Sequence, residues 1–130
     1  MREYIIHILF ITLFLSCSNH ESNEVNMITP EEMTELLEME EVQLVDVRTP
    51  EEYKTGFIAH SQNIDFRSPT FDEDIAMLDK TKPVILYCKS GARSAECSKK
   101  LKEAGFKLVY ELEGGITQWR FEDQKIKTYN

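Results

Sequence analysis

The sequence predicts a single α/β domain in which a mostly parallel central sheet carries helices on both faces. Two observations predict this fold class. Short apolar segments alternate along the chain with segments whose apolar residues have helical spacing, which is typical of a parallel sheet with covering helices. The chain has 130 residues, of which 42% are hydrophobic and 29% charged, so it has the length and the apolar content for one globular domain.

Residues 1–17 are predicted to be an export signal that is not part of the domain. The thirteen residues 4–16 are almost wholly apolar and follow Arg2. Such a segment is shorter than the ~20 residues that span a bilayer, but it suits the apolar core of a signal peptide. Phe-Leu-Ser-Cys at 14–17 resembles the cleavage box of bacterial lipoproteins, which implies that Cys17 becomes the lipidated first residue of the mature protein.

This resemblance implies a protein held by its N-terminal lipid on the periplasmic side of a bacterial membrane. Cleavage after Ser18 by the ordinary signal peptidase would give a soluble periplasmic protein, and an uncleaved anchor is the third alternative. Residues 18–26 are polar and lack periodicity, so we expect a short tether there without secondary structure. The domain is then expected to occupy residues 27–130.

The domain is predicted to begin with a strand, a helix and a second strand. The first strand is short, at residues 27–28. Thr29 caps the helix, because proline follows it and glutamate stands three residues after it. The apolar face of this helix consists of Met33, Leu36 and Leu37. The second strand covers residues 42–47.

A short helix and a third strand are predicted next. Thr49 caps the helix and Gly56 ends it. Ile58 and residues 62–64 supply the strand. His60 lies alone in this connection, without a second ligand-type residue nearby, and we assign no metal site to the chain.

The second half of the chain is predicted to hold three further helices and two strands. Residues 71–78 form an acidic helix, residues 84–87 a buried strand, and residues 107–111 the last strand. A longer helix begins at Arg93 and a final one at Gly114. The residues expected to face the core are Phe71, Ile75 and Leu78 in the first of these helices, Ala95, Leu101 and Ala104 in the second, and Ile116 and Trp119 in the third.

Cys88 follows the strand at 84–87, at the edge of the sheet where open α/β folds bind ligands. Small residues after it allow the backbone to turn tightly, so N–H groups of the loop and of the next helix would converge on the sulfur. The helix dipole, Lys89 and Arg93 add positive charge. Because such surroundings commonly lower the pKa of a thiol from about 8.5 to roughly 3.5–7.5, we expect Cys88 to be largely thiolate at neutral pH.

Several residues near this loop have a structural interpretation beside the functional one. Cys88 itself could be an inert core cysteine, but the neighbouring cations and glycine favour a reactive one. Asp46 and Arg48 end a strand on the same edge, where we favour an internal pair that braces the loop over direct contact with substrate. Cys97, nine positions after Cys88, is interpreted as core; a disulfide between the two would need their Cα atoms within about 7 Å.

Three blocks of sequence resemble the single-domain rhodaneses, sulfurtransferases that carry sulfur as a cysteine persulfide. The blocks are Cys-Lys-Ser-Gly-Ala-Arg-Ser at 88–94, Leu-Val-Asp-Val-Arg-Thr-Pro-Glu-Glu-Tyr at 44–53 with Gly-Phe-Ile at 56–58 and Asn-Ile at 63–64, and Leu-Glu-Gly-Gly-Ile at 112–116 with Trp119. The sequence departs from the family pattern at Phe57, where many members have histidine, at residues 59–61, and at residues 123–126, which lack the usual Gly-x-Pro.

The resemblance implies a sulfurtransferase that moves sulfur from a donor such as thiosulfate to cyanide or a thiol. Cys88 would be the catalytic residue, and Asp46 and Arg48 would support the loop. The residues that bind substrate would be Lys89, Ser90, Gly91, Ala92, Arg93 and Ser94. No cofactor is implied. The alternatives are a binding module without activity, a sulfur carrier for a periplasmic protein, and, less favoured, a phosphatase or arsenate reductase, whose loop is one residue longer.

The formal net charge of −8 argues against nucleic acid and anionic membrane surfaces as partners. We expect contact with the membrane only through the N-terminal lipid. The expected partners are a small sulfur-containing anion as donor and a thiol or cyanide as acceptor, with a periplasmic protein as an alternative acceptor.

Overall fold

The structure, a computed structural model, describes residues 25–39 and 41–129. These residues form one five-stranded parallel sheet with helices on both faces. The predicted signal peptide, Cys17 and residues 18–24 of the predicted tether lie outside the described residues. The strands are β1 (Asn26–Ile28), β2 (Gln43–Asp46), β3 (Gln62–Asn63), β4 (Val84–Tyr87) and β5 (Val109–Leu112). The helices are α1 (Pro30–Met39), α2 (Pro50–Lys54), α3 (Phe71–Ala76), α4 (Ala92–Glu103) and α5 (Gly115–Phe121). The predicted fold class is confirmed.

The strand order β1-β5-β4-β2-β3 places β4 at the centre of the sheet. All four strand pairs are parallel. Asp46 at the end of β2 is in register with Tyr87 at the end of β4. Because parallel strands end at the same edge, the residues that follow β2 and β4 share one rim of the sheet, where such folds bind ligands.

Each face of the sheet has its own apolar core. On one face, α3 and α4 cover β2, β4 and β5 through a cluster that includes Phe71, Leu86 and Leu101. On the other face, α1 and α5 pack on the same strands through a cluster that includes Met33 and Trp119. The four residues of β4 are fully buried because helices cover both sides of this strand.

Two helices begin with the capping geometry that the sequence predicts. The Thr29 hydroxyl accepts the Glu32 N–H at 3.2 Å, and the Glu32 carboxylate accepts the Thr29 N–H at 2.8 Å. Thr49 and Glu52 form the same reciprocal pair at the start of α2. Each pair satisfies two N–H groups that a helix start leaves without partners.

The structure corrects several details of the predicted elements. β1 begins at Asn26, one residue inside the predicted tether, and pairs with β5. β3 has two residues, and Ile58 is buried but lies outside it. The predicted inward face of α4 is wrong at Ala95, which is exposed, since the buried residues of this helix are Ser94, Cys97, Ser98 and Leu101. Among the described residues, no helix is long and apolar enough to cross a membrane.

Candidate active site

Cys88 lies at the carboxyl end of β4, with its side chain buried and its sulfur facing N–H groups of the following loop. Its exposed fraction is 1%. The N–H of Gly91 donates to Sγ at 3.0 Å. Burial alone would raise the pKa of the Cys88 thiol, but hydrogen bonds from the Ser94 N–H and hydroxyl and from the N–H groups of Gly91 and Ser90 outweigh it and lower the pKa. The loop therefore stabilises negative charge on sulfur.

The Ser94 hydroxyl is the one side chain in this set of donors. Its oxygen lies 3.7 Å from Sγ of Cys88 and 3.0 Å from the Gly91 carbonyl oxygen, to which it donates. A hydroxyl has one proton, so Ser94 can donate it to the carbonyl while accepting from a Cys88 thiol, or turn it toward a thiolate. Rotation of the Ser94 hydroxyl can therefore accommodate either the thiol or the thiolate form of Cys88 without movement of the backbone.

Two glycines allow the loop to fold this way. Gly91 has φ of 115°, in the left-handed region, and turns the chain into α4. Gly115 has φ of 59°, and a Cβ there would lie 2.5 Å from the Cys88 carbonyl oxygen. This close approach lets the N–H groups of Ile116 and Thr117 donate to the carbonyls of Cys88 and Lys89 at 2.9 and 3.1 Å. The start of α5 therefore holds the backbone of the loop.

Arg93, expected to add positive charge to the pocket, is bound by Glu52 of α2. Its two terminal nitrogens donate to the two carboxylate oxygens at 2.6 and 2.8 Å. The Arg93 hydrogen bond lowers the pKa of the Glu52 carboxyl to about 2. One of the two expected cations is thus neutralised by a residue 41 positions away, and the N–H groups carry most of the stabilisation of the thiolate.

Asp46 and Arg48 form the internal ion pair that the sequence favoured. Both are buried, and Nη2 of Arg48 lies 2.6 Å from the Asp46 carboxylate. The same nitrogen donates to the Gly56 carbonyl oxygen at 2.7 Å. The pair joins the end of β2 to Gly56, two residues after α2, the helix that carries Glu52, and is linked to the pocket through these neighbours.

The predicted substrate-binding residues differ in how far they are buried. Lys89, Ser90 and Ala92 are exposed, whereas Gly91 and Arg93 are half-buried and Ser94 is buried. Cys88 and Cys97 are both free thiols. Burial raises the pKa of Cys97 to about 12, with Glu111 adding to the effect, so this thiol is poorly suited to nucleophilic chemistry.

The comparison with known proteins decides the family. A family model described as a rhodanese-like domain matches residues 29–122. The chain belongs to the rhodanese-like domain family. The match covers every element from α1 to α5, including the Cys88 loop and its two supporting segments.

Relatives of this rhodanese-like chain include proteins named for sulfur transfer. YtwF of Bacillus subtilis, a protein assigned to the sulfurtransferases, is 38% identical over 100 residues, which are 76% of this chain and 94% of the relative. The polysulfide-sulfur transferase homodimer of Wolinella succinogenes is 32% identical with a TM-score of 0.68, over 82% of this chain and 80% of that one. Sulfur transfer is thus supported at the level of the family.

Other relatives are larger enzymes of a different kind. A tRNA uridine(34) hydroxylase of Pelagibacter ubique is 34% identical over 110 residues, which are 82% of this chain and 35% of the hydroxylase. The chain spans about a third of the length of that relative, so what the two share is the rhodanese-like domain.

Two contributors to the rhodanese-like site were missed at the level of sequence. Glu52 was assigned to a helix start, and its ion pair with Arg93 has no local signal. Gly115 was assigned to a helix start as well, although a Gly-Gly pair is a signal that backbone could approach closely there. Outside the site, Glu111 is buried in β5 and accepts a hydrogen bond from Ser98 of α4. Burial raises the pKa of Glu111, and a single charged residue in a strand segment does not predict such burial.

Proposed function

We propose that this rhodanese-like domain is a sulfurtransferase that carries sulfane sulfur as a persulfide on Cys88. The observation that carries the proposal is the set of hydrogen-bond donors around Sγ. Ser90, Gly91 and Ser94 supply backbone N–H groups, and Ser94 adds its hydroxyl. Donors of this kind lower the pKa of the thiol, and they can equally hold one further anionic sulfur atom bonded to it.

In the first step, the Cys88 thiolate attacks the outer sulfur of thiosulfate. A bond forms between Sγ and that sulfur, and the bond from that sulfur to the sulfonate breaks, so sulfite leaves with its electron pair. The products are a Cys88 persulfide anion and sulfite, and the total charge is unchanged. The loop N–H groups stabilise the terminal sulfur of the persulfide.

In the second step, a thiol or cyanide removes the outer sulfur. When the acceptor is a thiol, its sulfur bonds to the outer sulfur, the S–S bond to Cys88 breaks, and the thiol proton stays on the new persulfide. Cys88 then returns to the thiolate that the loop stabilises. Since each substrate reacts with a different form of the enzyme, the kinetics should be ping-pong.

The ion pair at Arg93 weighs against phosphatase or arsenate chemistry. A tetrahedral oxyanion needs a free arginine over the loop, and in this site Glu52 holds both terminal nitrogens of Arg93. The arginine also lies five places after the cysteine, in a loop one residue shorter than those enzymes use. The site suits a single sulfur atom better.

We also propose where the reaction takes place. The apolar segment at 4–16 and Cys17 support export and anchoring by an N-terminal lipid, with residues 18–25 as a tether between the lipid and β1. The domain would then meet its sulfur donor and acceptor on the periplasmic side of a bacterial membrane.

The decisive experiment uses the full-length protein in detergent, with the Cys88→Ser variant as control. After incubation with thiosulfate, intact mass should show one added sulfur atom on the wild type and none on the variant. Turnover with cyanide or a thiol would then separate an enzyme from a sulfur carrier. An unchanged mass of the wild type would contradict the proposal and would favour the alternative of a binding module without activity.

A further inference from the structure

A groove of about 600 Å³ lies beside the Cys88 loop, between α2 and α5. Glu52 of α2 and Thr55, which follows that helix, line one side. Thr117 and Arg120 line it from α5, and Lys89 lines it from the loop. Its volume is within the range of pockets that hold small organic ligands. It is larger than a sulfur anion of a few heavy atoms requires, so its size fits the second substrate better than the donor.

The groove carries positive charge that the protein does not neutralise. Its charged residues Arg48 and Glu52 are paired with Asp46 and Arg93. Among the described residues, the side chains of Lys89 and Arg120, which also line it, have no ion-pair or hydrogen-bond partner. These two cations belong to a protein whose formal net charge is −8, and local charge of this kind attracts anions whatever the overall charge.

The Arg120 side chain lies against the opposite wall of the groove. A Cβ on Gly56 would lie 2.9 Å from its Nη2, so the guanidinium lies directly on the backbone that follows α2. The guanidinium of an arginine is a planar set of donors that matches a carboxylate or phosphate group. Beside it, Phe121 is 81% exposed and also lines the groove, which gives an apolar surface next to the cation.

The groove is tied to the reacting cysteine through the backbone. Ile116 and Thr117, both in its lining, donate N–H groups to the carbonyls of Cys88 and Lys89. On the other side, Glu52 contacts the loop through Arg93. A molecule in the groove would thus lie at a fixed position relative to the residue that follows Cys88.

We propose that this groove binds the sulfur acceptor, and that the acceptor is a small thiol carrying two oxyanionic groups on a partly apolar stem. The inference rests on the proposed sulfurtransferase function and names its second substrate by chemical class. In the transfer step the thiol sulfur bonds to the outer sulfur of the Cys88 persulfide anion, the Cys88 S–S bond breaks, and the thiol proton stays with the new persulfide. Atoms and charge balance, with the thiolate of Cys88 as the other product.

The test compares two acceptors for the full-length protein, mercaptosuccinate and the uncharged thiol mercaptoethanol, at equal concentrations of thiolate. Mercaptosuccinate should have a KM at least about fivefold lower, and Arg120→Gln should raise that KM roughly fivefold to tenfold while the KM for the uncharged thiol stays the same. Arg120→Lys keeps the charge and should restore most of the preference. Lys99→Gln removes an exposed cation on α4, outside the groove, and serves as the control for a general effect of charge.

A binding measurement on the Cys88→Ser protein keeps this proposal distinct from the proposed reaction. Succinate and inorganic phosphate, titrated separately and followed by NMR, should shift signals of Thr117 and Arg120, and the stronger ligand identifies a carboxylate or a phosphate as the recognised group. Formation of the persulfide is measured independently by mass. Equal KM values for the two thiols in the wild type, or no binding of either anion, would overturn the groove assignment even if Cys88 carries sulfur.

Discussion

The charge on the Cys88 sulfur is controlled by hydrogen-bond donors more than by the cations that the sequence displays. Arg93 is paired with Glu52, whereas Ser94 faces the sulfur with both its N–H and its hydroxyl. This serine was identified from the sequence as a member of the loop, but its double contact depends on the turn of α4 that buries it. The proposed nucleophile can be identified from the local sequence, whereas the cause of its lowered pKa depends on the three-dimensional arrangement of the loop.

Replacing Ser94 by alanine should raise the pKa of Cys88 toward that of a free cysteine. The variant loses the hydroxyl, while the backbone donors remain. Because a hydrogen bond to a charged group is worth about 1.5–3 kcal/mol, formation of the persulfide at pH 7 should slow roughly 10- to 100-fold and recover at higher pH, where more thiolate forms. The pH dependence of alkylation by iodoacetamide, with the modified cysteine located by mass, measures the shift.

Ser98→Ala is the matched control for this prediction. Ser98 is buried on the same helix, and its hydroxyl lies within hydrogen-bond distance of the Ala95 carbonyl oxygen and the Glu111 carboxylate; neither of these hydrogen bonds involves Cys88. It should lower stability but leave the alkylation profile of Cys88 in place. A Ser94→Ala profile that overlays the wild-type curve would show that the hydroxyl has no part in stabilising the thiolate.

At the scale of elements, local signals predicted the helix starts and tertiary packing decided the rest. Thr29 and Thr49 could be assigned as caps because the spacing to glutamate is a chemical requirement of the capping pair. The inward face of α4 could not, because it is built from two serines, a cysteine and a leucine, and apolar spacing selected the exposed Ala95 instead. Polar residues become an inward face only when partners such as Glu111 are placed opposite them.

The contact between α5 and the loop predicts a large effect of Gly115→Ala. The new Cβ would lie 2.5 Å from one carbonyl oxygen and 2.6 Å from the next, and the residue would also keep a left-handed φ. The loop must therefore shift, with loss of its bonds to Ile116 and Thr117. We expect formation of the persulfide to fall at least roughly tenfold, since a small displacement of a reacting group is costly, measured as the rate of sulfur incorporation from thiosulfate.

The Gly105→Ala variant is a control that separates the cost of a left-handed backbone conformation from the loss of the contact between Gly115 and the Cys88 loop. Gly105 also has a left-handed φ, 97°, but a Cβ there would meet only the Lys80 side chain at 4.0 Å, far from Cys88. It should cost about 1–2 kcal/mol of stability through its backbone conformation and leave the rate of persulfide formation unchanged. Equal losses of activity in the two variants would mean that general destabilisation, rather than the loop contact, explains the result.

The ion pair between α2 and α4 predicts a pH-dependent contribution to stability. Arg93 lowers the pKa of Glu52 to about 2, below the value of about 4.3 for glutamate in an unfolded chain. A depressed folded-state pKa stabilises the protein above the unfolded value, and this stabilisation is lost as the pH falls from about 4 toward 2. Glu52→Gln should thus lower the free energy of unfolding at pH 7, by less and less as the pH approaches 3.

Urea unfolding at several pH values measures this difference. Glu41→Gln is a suitable control, because Glu41 also forms an ion pair, with Lys82, but is largely exposed, where such pairs contribute little. A difference between wild type and Glu52→Gln that stays constant from pH 7 to pH 3 would show that the cap of α2, and not the charge pair, explains the loss.

For the whole molecule, the sheet order explains why distant segments form one site. β2 and β4 are neighbours, so the residues after each strand meet at one rim although about 40 positions separate them in sequence. α2 follows β2 and brings Glu52 to the loop, and α5 follows β5 and brings Gly115. The alternation of strands and helices in the sequence predicted the layers of the fold. The contacts between side chains and backbone across the rim could be identified only from the three-dimensional structure.

The N-terminal segment adds a prediction about the protein in its cell. If Cys17 is the lipidated residue, the mature chain begins there, and residues 18–25 separate the lipid from β1. The sheet edge that carries Cys88 would then be free to meet soluble donors and acceptors.

Metabolic labelling with a fatty acid should mark the wild type and the Cys97→Ala variant but not the Cys17→Ala variant. Cys97 is a suitable control because its thiol is buried in the core. Mass analysis of the mature protein should place a modified cysteine at its N-terminus. A mature chain that begins after Ser18 without lipid would instead make it a soluble exported enzyme, with the chemistry at Cys88 unchanged.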